Sequence, residues 1–298
     1  MYAAIDLGSN SFHLLIARTH RHGIEEYDRY SSKVQLAEGL IDSGRLSQSA
    51  MARAFDCLHE LRAHMSWYDL YDVEAVGTFA LREARNSAEF VAKAEAVLGL
   101  PITVLTGEQE AELIYRGVQS KEDLSQSALV IDIGGGSTEF AIGSGDRIDL
   151  LFSESMGCVT LRDQYFHESL IRRSDFQQAL EDVAQWVQLP ACILDEHHWQ
   201  AAWGSSGTLK AVARILNGLH GCGYCIHRPQ LHSLLEDMLK RKRYADLNYP
   251  FLNDDRKSLI LPGIAIIAEL MDEQRIETLN VSQASLREGL VWKMASEA

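Results

Sequence analysis

One seven-residue frame occurs twice in this chain, and it limits the folds open to the chain more than any other feature. Ile5-Asp6-Leu7-Gly8-Ser9-Asn10-Ser11 and Ile131-Asp132-Ile133-Gly134-Gly135-Gly136-Ser137 share the order apolar, Asp, apolar, Gly, small, any, Ser. Asp6 and Asp132 stand 126 residues apart (132 − 6), and each frame closes a short apolar run that reads as a buried strand. A single Asp-x-Gly turn is an ordinary strand end. Two at matched positions predict two α/β lobes built on one plan.

The residue types in the frame suit phosphate. Glycines let backbone N–H groups come close to phosphate oxygens and tolerate positive φ, so that successive N–H groups form an anion-binding concavity. Small hydroxyl side chains add donors without blocking the approach. Gly8, Ser9, Asn10 and Ser11, and likewise Gly134, Gly135, Gly136 and Ser137, are therefore candidate phosphate ligands. Asp at the strand end would repel phosphate, but it can hold Mg²⁺ or its waters, and the ion then bridges to phosphate. Asp6 and Asp132 are candidate metal ligands on that ground.

The pattern around the frames alternates strands and helices. Tyr2–Leu7, Phe12–Ala17 and 24–36 read as a meander, and 47–66 has the apolar spacing of a helix. A strand follows over Val73–Gly77. Asn86 with Glu89 predicts a capping box for a helix ending at Leu98, before a strand at Ile102–Leu105. Thr106 with Gln109 predicts a second box, which puts Glu110 in a first helical turn. The polar stretch 120–127 marks a boundary, beyond which strands at Ala128–Ile133, 138–142 and 147–152 repeat the plan. Ser174 with Gln177, and Ser285 with Glu288, predict boxes for helices reaching about Val187 and Ala295. Helices at 209–216 and from about Pro229, with strands near 200–203 and 278–280, complete the second unit.

Composition narrows the partners. The 298 residues are enough for about two domains, and 46% are hydrophobic. Lys plus Arg number 28 against 42 Asp plus Glu, a formal charge of −14. Such a field repels nucleic acid and anionic membrane, so neither is expected as a partner. It does not exclude a phosphate substrate held locally by metal and backbone N–H groups. The N-terminal run MYAAIDLGSNSF lacks the basic and apolar regions of a signal peptide, and the apolar stretch 259–268 is far shorter than the ~20 residues of a membrane span. Five scattered cysteines favour a reducing cytoplasm over a disulfide framework. The run His220-Gly-Cys222-Gly-Tyr-Cys225-Ile-His227 has redox or zinc spacing but no second Cys pair, and reads as an incidental loop.

Five further runs join the first frame: Gly77-Thr-Phe-Ala-Leu-Arg82-Glu-Ala, Gly107-Glu-Gln-Glu110-Ala, Asp132-Ile-Gly-Gly-Gly-Ser137-Thr-Glu139, Met156-Gly-Cys-Val and Gly204-Ser-Ser-Gly207-Thr. With Leu261-Pro-Gly-Ile they span about residues 2–292. In this order they resemble the exopolyphosphatase and guanosine-pentaphosphate phosphohydrolase (Ppx/GppA) family, of the sugar kinase, Hsp70 and actin superfamily. The resemblance implies two ribonuclease-H-like lobes, mixed sheets flanked by helices, with an interlobe active-site cleft. The lobes would be 1–122 and 123–298, with the helix of about 285–298 able to pack back on the first and no additional helical C-terminal domain.

The resemblance also assigns roles. Glu110 would be the base that takes a proton from the attacking water; its bland alternative is a carboxylate favouring a helix N-terminus. Arg82, expected on the loop after the Val73–Thr78 strand, would contact phosphate, or else pair with Glu83 or Glu89. Glu139 would join Asp132 at the metal, Mg²⁺ or another divalent cation, or would face solvent from an alternating strand. Gly207 and Thr208 would offer N–H groups at a helix start. His13 is read as structural. The basic runs 18–22, 172–173 and 240–243 are read either as a polyanion track or as ordinary surface charge. Two positions depart from the family run: Gln109 replaces a glutamate but still serves the capping box, and Glu112 stands where arginine is common, a change of two charge units expected to weaken attraction for polyanions or alter chain-length preference, with short substrates expected.

The resulting expectation is a metal-dependent phosphoanhydride hydrolase. It would release the terminal phosphate of inorganic polyphosphate, the γ-phosphate of pppGpp, or both. A kinase of the same superfamily, or a non-catalytic sensor of the alarmone or of polyphosphate, are the alternatives. A homodimer stays open.

Overall fold

Tyr2–Leu7 (β1) is almost wholly buried, as a strand covered on both faces must be, and it lies at the centre of a five-stranded sheet. Ser11–His20 (β2) and Gly23–Lys33 (β3) continue from it as an antiparallel meander. Helices Leu40–Ser43 (α1) and Gln48–Met65 (α2) lead to Asp72–Gly77 (β4), which runs parallel to β1. After Phe79–Glu83 (α3) and Ser87–Leu98 (α4), Ile102–Val104 (β5) adds a second parallel neighbour, and Gly107–Gln119 (α5) follows. The order β3-β2-β1-β4-β5 is ribonuclease-H-like. This is a computed structural model, and it describes residues 1–20, 23–166 and 169–297.

The plan then repeats. Ala128–Ile133 (β6), Thr138–Ser144 (β7) and Arg147–Glu154 (β8) form a second meander. Cys158–Tyr165 (α6) and Arg173–Asp195 (α7) precede Ala201–Ser205 (β9), which is parallel to β6. Gly207–His220 (α8), Cys225–His227 (β10), Arg228–Met238 (α9), Asp254–Glu273 (α10) and Thr278–Val281 (β11) complete the order β10-β11-β9-β6-β7-β8. Leu286–Ser296 (α11) closes the chain's structured course. Met1–Glu122 with Ala284–Ala298 form one compact unit and Asp123–Gln283 the other.

Each unit buries its own core. In the first, Ile5, Leu7, Phe12 and Leu14 meet Leu58, Leu61 and Phe90. In the second, Ile131, Phe140 and Ile142 meet Val183, Val187 and the apolar middle of α10. Phe140 stacks on Phe152 with centroids 4.6 Å apart.

Four local expectations are corrected by tertiary context. Asn86 does not cap α4: its amide accepts from Leu46 N–H (2.8 Å) and donates to Leu46 C=O, pinning a distant loop. Ser174 does not cap α7: the helix starts two residues earlier than such a cap implies, at Arg173, and the Ser174 hydroxyl donates to Asp175 Oδ1 (3.0 Å). That helix also runs through Pro190 to Asp195 rather than stopping near Val187. Helix-interior proline costs about 3 kcal/mol, offset here by burial of Pro190, Ala191 and Leu194. The cysteine-rich run is not wholly loop, since 225–227 pairs antiparallel with β11 and Cys225 Sγ approaches His227 Nε2 at 3.4 Å. Among the basic runs, Arg173 pairs with Glu236 and Arg241 with Asp237, while Arg21 and His22 lie outside the described residues.

Candidate active site

The β1–β2 turn is anchored by its carbonyls. Asn10 C=O accepts from the N–H groups of Val34 (3.1 Å) and Gln35 (2.8 Å), and Ser9 C=O from Ala37 N–H (3.0 Å). The N–H groups of Gly8, Ser9 and Asn10 donate to none of the described residues. Gly8 is required by crowding, because a Cβ there would stand 2.9 Å from Ser11 C=O. The Asn10 amide donates to Ser11 Oγ (3.2 Å), and its own buried oxygen receives no donor among the described residues. Asp6 lies directly opposite His13 in the ladder, so the two side chains share a face.

Glu110 is placed by a local device and a long-range one. The Thr106 hydroxyl accepts from Gln109 N–H (3.2 Å) while the Gln109 side chain accepts from Thr106 N–H (2.9 Å), the reciprocal cap that starts α5. Glu110 then falls in the first turn, only 8% exposed. Arg82 reaches it with Nη1 2.5 Å from Oε2, and also approaches Leu105 C=O (3.3 Å). Arg82 stands on the short helix α3 and not on a loop, and its acid is neither Glu83 nor Glu89, the latter being bound to Lys93. Glu112 is exposed on α5.

Helix α5 is held by α11. A Cβ on Gly117 would stand 1.9 Å from Ser285 C=O, and one on Gly289 1.8 Å from Leu113 C=O, so both helices cross at bare backbone. The predicted Ser285–Glu288 box is present at the start of α11, and Glu288 also accepts from Arg29 Nη2 (2.7 Å).

The β6–β7 turn repeats the first arrangement with different anchors. Gly134 C=O accepts from Cys158 N–H (3.0 Å), and Gly135 C=O from the N–H groups of Val159 (2.7 Å) and Thr160 (3.2 Å). The turn carbonyls thus satisfy the otherwise unpaired donors that open α6. The N–H groups of Gly135 and Gly136 donate to none of the described residues. Gly157 makes the contact sterically feasible, since a Cβ there would fall 2.4 Å from the Gly135 carbonyl.

Asp132 stands directly opposite Glu139, 8% and 1% exposed, and Ser153 Oγ donates to Glu139 Oε1 (2.9 Å). Glu139 therefore does not face solvent. Like charges opposed across a ladder are unfavourable alone. The pair suits Mg²⁺, which takes one or two carboxylates and fills its shell with water and substrate oxygen. No cluster of three or more His, Cys, Asp or Glu that would cage a metal occurs among the described residues, and Asp6 has an imidazole opposite it. The donor set fits an ion shared with substrate.

Beside β6, the β9–α8 junction carries backbone strain. Ser206 has φ 107°, rare for a residue with a Cβ, while its hydroxyl accepts from Leu209 N–H (3.2 Å). Gly207 begins α8. The Arg256 guanidinium lies against it, so close that a Cβ would meet Nη2 at 2.4 Å. Arg256 donates to none of the described residues, and burial pulls its pKa down. The sequence offered no signal for Arg256, which comes from a helix 49 residues further on (256 − 207). Thr208 turns its hydroxyl to Cys158 Sγ (3.6 Å) and its methyl toward Gly263, leaving its N–H as the group available at the helix start. Burial pushes the Cys158 thiol pKa up, so it stays neutral.

The profile of the Ppx/GppA phosphatase family matches residues 15–298. A candidate exopolyphosphatase of Haemophilus influenzae is 36% identical over 292 residues, covering 98% of this chain and 90% of the relative. The crystal structure of an exopolyphosphatase from Cytophaga hutchinsonii superposes with a TM-score of 0.91 at 26% identity, covering 100% of this chain and 98% of the other. An Aquifex aeolicus Ppx/GppA family member gives 0.81 at 24% identity, covering 99% and 98%, a likeness of fold.

Proposed function

Because the chain belongs to the Ppx/GppA phosphatase family, we propose that it hydrolyses the terminal phosphoanhydride bond of inorganic polyphosphate, with the γ-phosphoryl of pppGpp as a second substrate of the same chemistry. The observation that carries this reading is Glu110, a carboxylate held nearly dry in the first turn of α5 with a guanidinium at 2.5 Å. A pure sensor has no need of an acid placed to accept a proton, whereas a kinase would use such a base on an acceptor hydroxyl, so release of phosphate without any acceptor separates the two.

Water attacks the terminal phosphorus, its proton passes to Glu110, and the shortened chain leaves with the bridging oxygen. Arg82 compensates charge that builds on the phosphoryl oxygens. Each glycine turn, and separately the α8 start with Arg256 beside Gly207, would offer its unengaged donors to non-reacting phosphate oxygens. Asp132 and Glu139 would hold Mg²⁺, with Asp6 as a further candidate; when bound, the ion neutralises phosphate charge. Catalysis comes mostly from position and preorganised charge.

The test is phosphate release from polyphosphates of several lengths and from pppGpp, with and without Mg²⁺. Glu110→Gln should lower turnover by about 10²–10⁴-fold, with circular dichroism and melting temperature near those of the parent. Near-normal turnover would remove Glu110 from the role of base. Absence of release from every substrate by the unaltered protein would overturn the hydrolase reading itself.

A further inference from the structure

The second unit carries a thiol pair that the phosphate chemistry leaves unused. Helix α8 stops at Gly221, whose N–H donates to Asn217 C=O (2.8 Å) from a left-handed backbone with φ 69°. Gly223 occupies the same region at φ 74°, and its N–H donates to Asn217 Oδ1 (2.8 Å). A Cβ at either glycine would meet nothing within 4 Å, so the requirement is for positive φ and not for space. Beyond the turn, Val281 N–H donates to Tyr224 C=O (2.9 Å), and Cys225–His227 pairs with β11. Cys222 and Cys225 are thus held at the two ends of a short, fixed turn.

Each thiol is turned back toward the other residue. Cys225 Sγ donates to Cys222 C=O (2.9 Å), and Cys222 Sγ lies 3.8 Å from Cys225 C=O. Both cysteines are half-buried, in contrast to Cys57 and Cys158, which are buried. Cys225 Sγ also stands 3.4 Å from His227 Nε2, while His227 Nδ1 is 3.0 Å from Thr278 Oγ1 on the neighbouring strand. With Nδ1–H donated to that hydroxyl, Nε2 presents its lone pair to the thiol. Rotation about the Cβ–Sγ bond carries the thiol proton from the carbonyl to the imidazole without moving a heavy atom. Burial and the adjacent Cys222 push the Cys225 thiol pKa up, so the pair rests protonated and needs such a base. No group of three metal-ligating side chains occurs among the described residues, so the Cys-x-x-Cys spacing fits redox chemistry better than a metal cage.

We propose that Cys222 and Cys225 are a modification site, a redox pair that a low-molecular-weight disulfide converts to an intramolecular disulfide, with His227 as the base for Cys225. The Cys225 proton passes to His227 Nε2, and the Cys225 sulfur attacks one sulfur of the oxidant. A mixed disulfide forms on Cys225, the oxidant's S–S bond breaks, and the released thiolate takes the proton from His227. The Cys222 sulfur then attacks Cys225 Sγ, and the second small thiolate leaves with the Cys222 proton. Two protein thiols are oxidised, and one small disulfide is reduced to two thiols.

The probe is oxidised glutathione, read by peptide mass spectrometry. The unaltered protein should yield a Cys222–Cys225 disulfide, about 2 Da lighter than the dithiol and reversed by dithiothreitol. Cys192, exposed on α7, should stop at its glutathione adduct. Cys222→Ser should trap glutathione on Cys225. His227→Gln should slow oxidation of the pair about tenfold at about pH 7, a gap that closes by about pH 10, where hydroxide removes the thiol proton. Glutathione retained on both Cys222 and Cys225 of the unaltered protein, or both staying as thiols while Cys192 is modified, would overturn the inference. So would oxidation of His227→Gln at the parental rate at neutral pH. Phosphate hydrolysis plays no part in these measurements, so they decide on the thiol pair whatever the protein's substrate.

Discussion

At the residue scale, the Arg82–Glu110 pair combines a structural and a chemical demand. Side-chain exposures of 16% and 10% leave little water to screen either charge. Removing one partner of such a pair costs about 3–5 kcal/mol, because the other stays buried. Arg82→Met should accordingly lower unfolding free energy in urea by about 3 kcal/mol, and Arg82→Met with Glu110→Gln should recover most of it. A double variant no more stable than the single one would show that the pair is not coupled. The position of Glu110 was legible because a capping box is a contact between residues three apart. The identity of its partner was not: Arg82 and Glu110 meet only because β4 and β5 lie side by side, each followed by its helix. Arg256 was invisible for the same reason, since nothing near residue 256 announces that α10 will press it against Gly207.

At the element scale, the crossing of α5 and α11 sets where Glu110 stands. Backbone meets backbone there, so Gly289→Ala has no side chain to push aside. It should destabilise the protein by about 2–3 kcal/mol by forced separation of the helices, and lower turnover as well by shifting α5. Wild-type stability in this variant would mean that the crossing relaxes at no cost. Strands proved easier to read than helix starts. The β1–β2 and β6–β7 hairpins follow from apolar runs and glycine turns, which act over a few residues. Asn86 and Ser174 look like caps in isolation, but in the folded chain Asn86 bonds to Leu46 and the Ser174 hydroxyl to Asp175 within a helix that has already begun. Between Leu259 and Ala268 helix α10 is buried on all sides and contains Pro262 and Gly263, so it lacks the one-sided periodicity that marks a surface helix. Only its enclosure by other helices makes it a helix of the core.

At the scale of the whole molecule, the charge of −14 shapes the response to acid. Hydrogen bonds from Tyr68 and His64 hold the Asp28 pKa below the ordinary aspartate value. Tyr249 and Arg241 do the same for Asp237, as Arg29 does for Glu26. Each such carboxylate contributes stability that is fully present above its unfolded pKa, near 4. That contribution is lost as pH falls through the lower folded pKa. Burial raises the Glu154 and Glu269 pKa values, and these two act in the opposite sense. The melting temperature should fall from pH 5 to pH 3, and Asp28→Asn should flatten part of that slope while leaving a lower plateau at pH 7. A variant with the parent's slope would remove Asp28 from the acid response. No described helix is long and apolar enough to cross a membrane.

The doubled frame by itself determined that the chain would hold two strand–turn units, and that each turn would carry glycines where a phosphate could approach. It also determined the cap that puts Glu110 at a helix start. These are interactions among neighbours in sequence, and the chain makes them wherever it goes. Tertiary structure decided which side of each turn is spent on the protein. The carbonyls of Ser9, Asn10, Gly134 and Gly135 bind segments 24 to 28 residues away, so the N–H groups are the ones left over. It also decided that Glu139 is buried, that Arg82 faces Glu110, and that Arg256 lies against Gly207. Such placements depend on which elements pack together, and a burial cost is set by neighbours that only the folded chain supplies.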